Sequence, residues 1–241
     1  MTLRRIASHF KQQHWTGVFI ELLIVVLGVF IGLQAQDWNA ARIARANARE
    51  YRQSLITDME LSVSRNQAQI DYGRRQVGQL DLVLKALTSC RLDADSQATF
   101  DAGLYNMGKF DLPIMVMGTI DELNATGNFK LIGAPALRRA ISNTMRVYRT
   151  TLSVEPQLTA RIVPNVNYVR FHVRFVLNRH LTYPLSIDPD KVFYDFGKLC
   201  SDGEFINAVA AVREMTLASD ALNQTVLDRQ AELLTTLNKM P

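Results

Sequence analysis

The stretch Gly17-Val-Phe-Ile-Glu21-Leu-Leu-Ile-Val-Val-Leu-Gly28-Val-Phe-Ile-Gly32-Leu33 is apolar or glycine throughout except for Glu21. At helical rise it is about 25 Å long, the lower end of what crosses a hydrocarbon core of about 30 Å. Trp15 and Trp38 bracket it, about 35 Å apart as a helix, which matches the two aromatic belts of a bilayer. Two other readings compete: the buried helix of a soluble domain, and a signal peptide cleaved after Ala35. Cleavage there would put Leu33 where a small residue is wanted. The stretch reads as a retained transmembrane anchor.

Within the span, Gly28-Val-Phe-Ile-Gly32 is a GxxxG. At about 100° per residue, Gly17, Glu21, Gly28, Gly32 and Ala35 share one face. Small residues let two helices approach closely, and close packing drives association in lipid. An acid in hydrocarbon normally faces protein, which places Glu21 on the same interface, although it also lies near enough to Trp15 to reach the headgroups.

The 241 residues leave room for an anchor and either one domain or two small ones. At 48% hydrophobic and 21% charged, the remainder can build an ordinary core. A net charge of +4 is too mild for a dedicated nucleic-acid binder, and no nucleic-acid motif is present. The division expected is a tail over 1–16, the transmembrane helix over 17–38, a juxtamembrane long helix over 39–88, and a helical domain over 89–241.

From Ile56 a heptad register runs through Met59, Val63, Asn66, Ile70, Gly73, Val77, Leu80, Leu84 and Leu87. This is coiled-coil or bundle spacing, not strand alternation. Ile56, Val63, Ile70, Val77 and Leu84 are accordingly expected at an oligomer interface with Glu21, Gly28 and Gly32. Asn66 would set the register, and Gly73 would mark a bend. Traced back toward the span, the same stripe is Arg42, Arg45, Arg49 and Arg52. These arginines are expected to meet anionic lipid headgroups or an acidic partner, with a solvated face as the plainer alternative.

Further along, Thr119-Ile-Asp-Glu122 reads as a capping box, and Gly127 as a left-handed helix end. Gly133-Ala-Pro135 opens a helix to about Ser153. Another is expected from Glu155-Pro156, bent at Pro164, to about His180. A loop follows over Leu181–Gly203, and a last helix from Glu204 to Lys239. Only Phe171–Val176 and Val192–Phe196 look strand-like. The class is all-α: an N-terminal transmembrane helix that continues into a long coiled-coil-like helix, packed in a helical bundle.

The chemistry is sparse. His9, His14, His172 and His180 lack ligand spacing, and neither Cys90 nor Cys200 sits in a CxxC or CxH, so no metal is expected. Asp93-Ala-Asp95 begins like a calcium loop, but Ala98 and Leu104 occupy its glycine and glutamate positions. There is no phosphate-binding glycine loop, GxSxG or HExxH, so no cofactor and no enzyme activity are expected. Arg161, Arg170, His172, Arg174 and Arg179 form a basic stretch interleaved with Tyr168, Phe171 and Phe175. Arg170 and Arg174 are candidate anion-binding residues; the alternative is pairing with Asp188, Asp190 and Asp195.

Glu21 opening the span, followed by Leu22–Asn39 with its exit Gln34-Ala-Gln-Asp-Trp-Asn39, resembles a family of bacterial single-span membrane proteins of no established activity. Their apolar span is led by Gly-Glu and leaves through Gln-x-x-Asn/Asp-Trp-Asn; here Ile20 stands in place of the glycine. The likeness extends weakly over Thr119–Tyr148. It implies a bacterial membrane protein and no mechanism.

Basic residues do not orient the span, because Arg4, Arg5 and Lys11 precede it and the four arginines follow. A short basic tail without acids is expected to stay in the cytoplasm as a signal-anchor, and Cys90 with Cys200 fits one disulfide in an oxidising compartment. The sequence therefore predicts an inner-membrane protein with a periplasmic helical domain, self-associating as an interaction or sensing module. Its expected partners are membrane lipids, a second copy and a protein of the envelope, with no nucleic acid. The alternatives are an anionic-ligand-binding protein and an unrecognised hydrolase.

Overall fold

In the computed structural model, residues 15–109, 112–133, 135–176 and 191–239 are described. The tail residues Arg4, Arg5, His9, Lys11 and His14, and Arg179, His180, Asp188 and Asp190, lie outside them. Six α-helices form among these residues: α1 Trp15–Ser89, α2 Gln97–Asn106, α3 Gly118–Ala125, α4 Pro135–His172, α5 Phe196–Ser201 and α6 Gly203–Asn238. The strands β1 Arg174–Val176 and β2 Lys191–Phe193 pair antiparallel, with Phe175 opposite Val192. The protein is all-α. Its contacts divide it into two units that meet between Tyr51 and Arg52.

The first unit is the beginning of α1, a helix apolar and long enough to cross a membrane, with none of that window buried inside the chain. From Phe19 to Leu33 all twelve large aliphatic and phenylalanine side chains are exposed. At about 0.3–0.6 kcal/mol each they favour insertion by about 4–7 kcal/mol, against about 2.5–3.5 for an acid at the bilayer centre. Glu21, at one end of the run, therefore does not prevent insertion.

The second unit is a bundle built on α6. Hydrogen bonds join Arg52 to Leu237, Asn66 to Gln230, Arg74 to Gln224 and Asp81 to Arg213. One number rises as the other falls, so α6 runs antiparallel to α1. Thr144 with Arg229 and Tyr168 with Asp202 show the same relation between α4 and α6. At the far end of the bundle, Leu80, Val83, Leu87, Phe100, Leu104 and Phe205 form the apolar core with Ile162, Val166 and Val209. Full burial is worth about 1.5–3 kcal/mol for each large side chain. Gly103 lets α2 come close to α1, since a Cβ there would lie 2.8 Å from Val83 Cγ2.

Several expectations are corrected here. Ile56 and Ile70, placed at an oligomer interface by the heptad, are 8% and 1% exposed in the single chain. The seam is closed by the chain itself. Val63, Val77 and Leu84 flank it half-buried, because Ser62, Gln76 and Val83 occupy the buried positions beside them. Gly73 lies buried within the continuous helix α1, where a Cβ would overlap the Asp220 carboxylate. The capping box is replaced as well. α3 starts at Gly118, its preceding residue Met117 makes no side-chain cap, and Asp58 Oδ2 accepts from Thr119 N at 3.0 Å.

The two helices expected around Pro156 are one, α4, which contains both Pro156 and Pro164. Each proline removes one helix hydrogen bond and frees the carbonyl four residues back. Both prolines are exposed, so water can serve those carbonyls. Thr151, Ile162, Val166 and Val169 meanwhile hold the opposite face in the core.

Candidate functional site

Four features carry polar or charged chemistry in positions that matter. The first lies wholly in the first unit. Glu21, Gly28 and Gly32 are exposed, and a Cβ added at either glycine would meet nothing within 4 Å. Neither glycine is needed for packing inside the chain. Arg42, Arg45 and Arg49 are exposed on the same helix. The Arg42 guanidinium lies 5.9 Å from the Trp38 ring centroid, and Arg45 Nε donates to Ala41 O at 3.1 Å. Arg52 belongs to the second unit and differs. Its Nε donates to Leu237 O at 3.0 Å, satisfying one of the last carbonyls of α6, so it serves as a helix cap in the bundle.

The second is a polar layer between Met59 and Ile70 of α1. Asn66 donates to Ile114 O at 2.8 Å and to Gln230 Oε1 at 2.6 Å, and its own Oδ1 accepts from Ile114 N at 2.7 Å. Gln230 Nε2 donates to the same Ile114 O at 2.8 Å, and Ser62 Oγ accepts from Val116 N at 2.9 Å. The extended segment 112–117 is thus strapped to α1 as if to a neighbouring strand. Asn66, Ser62 and Gln230 are fully buried. Asn66 does not set a coiled-coil register; it reads the backbone of a segment 48 residues away.

The third is the junction of α4 and α6. Asp202 caps α6, its Oδ1 accepting from Glu204 N at 2.9 Å and Phe205 N at 3.0 Å. Its Oδ2 accepts from Tyr168 at 3.1 Å and lies 3.8 Å from His172 Nε2. Phe205 N above all holds the Asp202 carboxyl below its ordinary range. Desolvation first, then the Asp202 bond, pushes the Tyr168 phenol up to about 12. His172 also meets Tyr168 O through Nδ1 at 2.9 Å and packs edge-on to Phe205. This is a helix cap tied by two aromatic rings.

The chain matches no family model, no curated protein and no solved structure.

The fourth feature is the basic stretch around the end of α4. Arg161, Arg170 and Arg174 are exposed, and none forms an ion pair among the described residues. Arg170 lies in the last turn of α4, where a cation complements the helix dipole. The Arg174 guanidinium stacks 4.6 Å from the Phe193 ring centroid and bridges β1 to β2. Asp195 does not pair with the arginines; it caps α5 and meets Lys198 at 3.5 Å. Among the described residues, neither Arg170 nor Arg174 lines the cleft at residues 81–96 or the one at 129–146.

Cys90 and Cys200 are joined by a disulfide with Cα atoms 5.3 Å apart, tying the end of α1 to α5. Cys90 has φ 47°, a left-handed conformation usually left to glycine. Cys90 N donates to Leu87 O at 3.2 Å and Arg91 N to Ala86 O at 3.1 Å, the paired bonds of a Schellman helix end. A cysteine sits where the turn asks for glycine.

Proposed function

We propose that the chain is a membrane-anchored, self-associating helical interaction module of the bacterial envelope. On this reading the tail is cytoplasmic, the anchor is the Gly17–Leu33 span, and the disulfide-closed bundle is periplasmic. One observation carries the proposal. Ile56 and Ile70 of the heptad seam are buried within the chain, whereas Glu21, Gly28 and Gly32 lie on a face of the apolar span that no described residue covers. On this reading the span carries self-association, and the outer surface of the bundle is where a partner would dock. Arg42, Arg45 and Arg49 would meet anionic headgroups, each worth about 1 kcal/mol near a charged surface. The Cys90–Cys200 bond supports an oxidising compartment. The likeness of Glu21–Asn39 to a bacterial single-span family supports the origin.

The test is cross-linking of the full-length chain in native membranes. Gly28→Ile together with Gly32→Ile should weaken span association by about 1 kcal/mol or more, since the bulkier side chains hold two backbones apart. The cross-linked band should fall while total protein in the membrane stays constant. A double variant that cross-links as well as the parent would remove the span from the interface.

A further inference from the structure

A shallow, wide-open surface cleft of about 600 Å³ lies along the first turns of α4, on the side away from the core residues Leu137, Ile141 and Thr144. Its lining includes Arg138, Arg139 and Arg146, with Ser142, Asn143 and Phe129, and no acid. The helical spacing explains the gathering. Arg138, Ser142 and Arg146 recur every four residues, and Arg139 and Asn143 flank them on the adjacent row. Two of the three guanidiniums are steered. Arg138 donates to Gly133 O at 2.9 Å, and Arg146 donates to Asn143 Oδ1 at 2.6 Å, which leaves the Asn143 amide nitrogen as a further donor. Among the described residues none of the three arginines forms an ion pair. Between Glu122 and Glu155 the sequence has five cations and no acid. Among the described residues, no acid lines the cleft to offset its charge.

We propose that this cleft binds a phosphate-bearing anion, with Arg138, Arg139 and Arg146 as its charged contacts and Ser142 and Asn143 as neutral donors. Guanidinium forks match phosphate oxygens in paired hydrogen bonds, and charge-assisted bonds of this kind are the strong ones. Arg138 and Arg146 are two turns apart, about 12 Å along the axis. The ligand that satisfies both is larger than one phosphate, such as a diphosphate ester or a phosphodiester with its glycerol. A soluble phosphate ester and a lipid headgroup offer the same chemistry. The cleft lies outside the surfaces invoked for self-association, so it stands or falls independently of them.

The experiment is calorimetric titration of the full-length chain in phosphatidylcholine nanodiscs with inorganic pyrophosphate. The parent should bind, and the triple variant R138Q/R139Q/R146Q should bind at least about tenfold more weakly, the loss expected from about one charge-assisted contact or more. Arg139 is exposed, so R139Q alone should fold normally and still weaken binding about threefold or more if its contact is worth even half of that; this variant decides the matter if the triple does not fold. Nanodiscs of phosphatidylglycerol separate the two sources: competition with pyrophosphate assigns the site to a headgroup, and an unchanged midpoint assigns it to a soluble ester. Pyrophosphate heats that are the same for the parent and R139Q, or absent from the parent in both lipids, would overturn the proposal.

Discussion

Asn66→Leu should cost the bundle about 3–5 kcal/mol, a large share of the 5–15 kcal/mol that holds a typical domain together. The side chain is fully buried and serves three groups at once: Ile114 N, Ile114 O and Gln230 Oε1. Ile114 O keeps a second donor in Gln230, but Ile114 N and Gln230 Oε1 do not gain new partners from leucine. Each buried polar group stranded in this way costs about 1–3 kcal/mol, which far exceeds what one hydrogen bond contributes in net terms. Urea unfolding of the full-length chain measures the loss. Hydrogen exchange provides a local readout, because the amides of Ile114 and Val116 should exchange faster than those of α6. A loss under about 1 kcal/mol would mean that the polar layer is hydrated and does not hold the strap.

The disulfide gives the second large effect, and it separates two contributions. Breaking the bond by Cys200→Ser releases a sequence separation of 110 residues. The chain-entropy model assigns such a loop about 4.7 kcal/mol. Cys90→Gly breaks the same bond but also relieves a left-handed backbone at φ 47°, which costs a residue other than glycine about 1–2 kcal/mol. The glycine variant should therefore be the more stable of the two by about 1 kcal/mol, although both lose the cross-link. Thermal or urea unfolding of the pair decides it. Equal stabilities would show that the turn is not strained in the parent.

Much of the architecture was legible in the residues. An apolar run broken only by Glu21, with tryptophans at both ends, marks the first helix, because so long a run without alternation is the pattern of a membrane-spanning helix. Pro135 marked the start of α4, and the short β pair was visible in Phe171–Val176 and Val192–Phe196. The seam was legible only in part. Periodicity located Ile56 and Ile70, yet it assigned them to a second copy, because spacing does not say whose helix covers a stripe. Ser62 and Gln76 escaped notice because they are polar. They are buried by bonds to Val116 N and Asn106 O, contacts that exist only once distant segments meet. Pro156 suggested a break, since sequence does not reveal that its lost hydrogen bond faces solvent. The cleft of Arg138, Arg139 and Arg146 was also missed. Its signal was present: five cations without an acid between Glu122 and Glu155. It stood beside the denser Arg161–Arg179 run, which drew the anion-binding reading instead.

The proposed function requires an anchored chain whose bundle lies in an oxidising compartment outside the cytoplasm. Fusing alkaline phosphatase after Pro241 tests this most directly, because that enzyme becomes active only where its own disulfides form. The fusion should be active in membranes, and Cys90 and Cys200 should resist thiol labelling until reductant is added. A full-length, well-expressed fusion without activity, with both cysteines freely labelled, would contradict the periplasmic bundle and remove the role assigned to its disulfide.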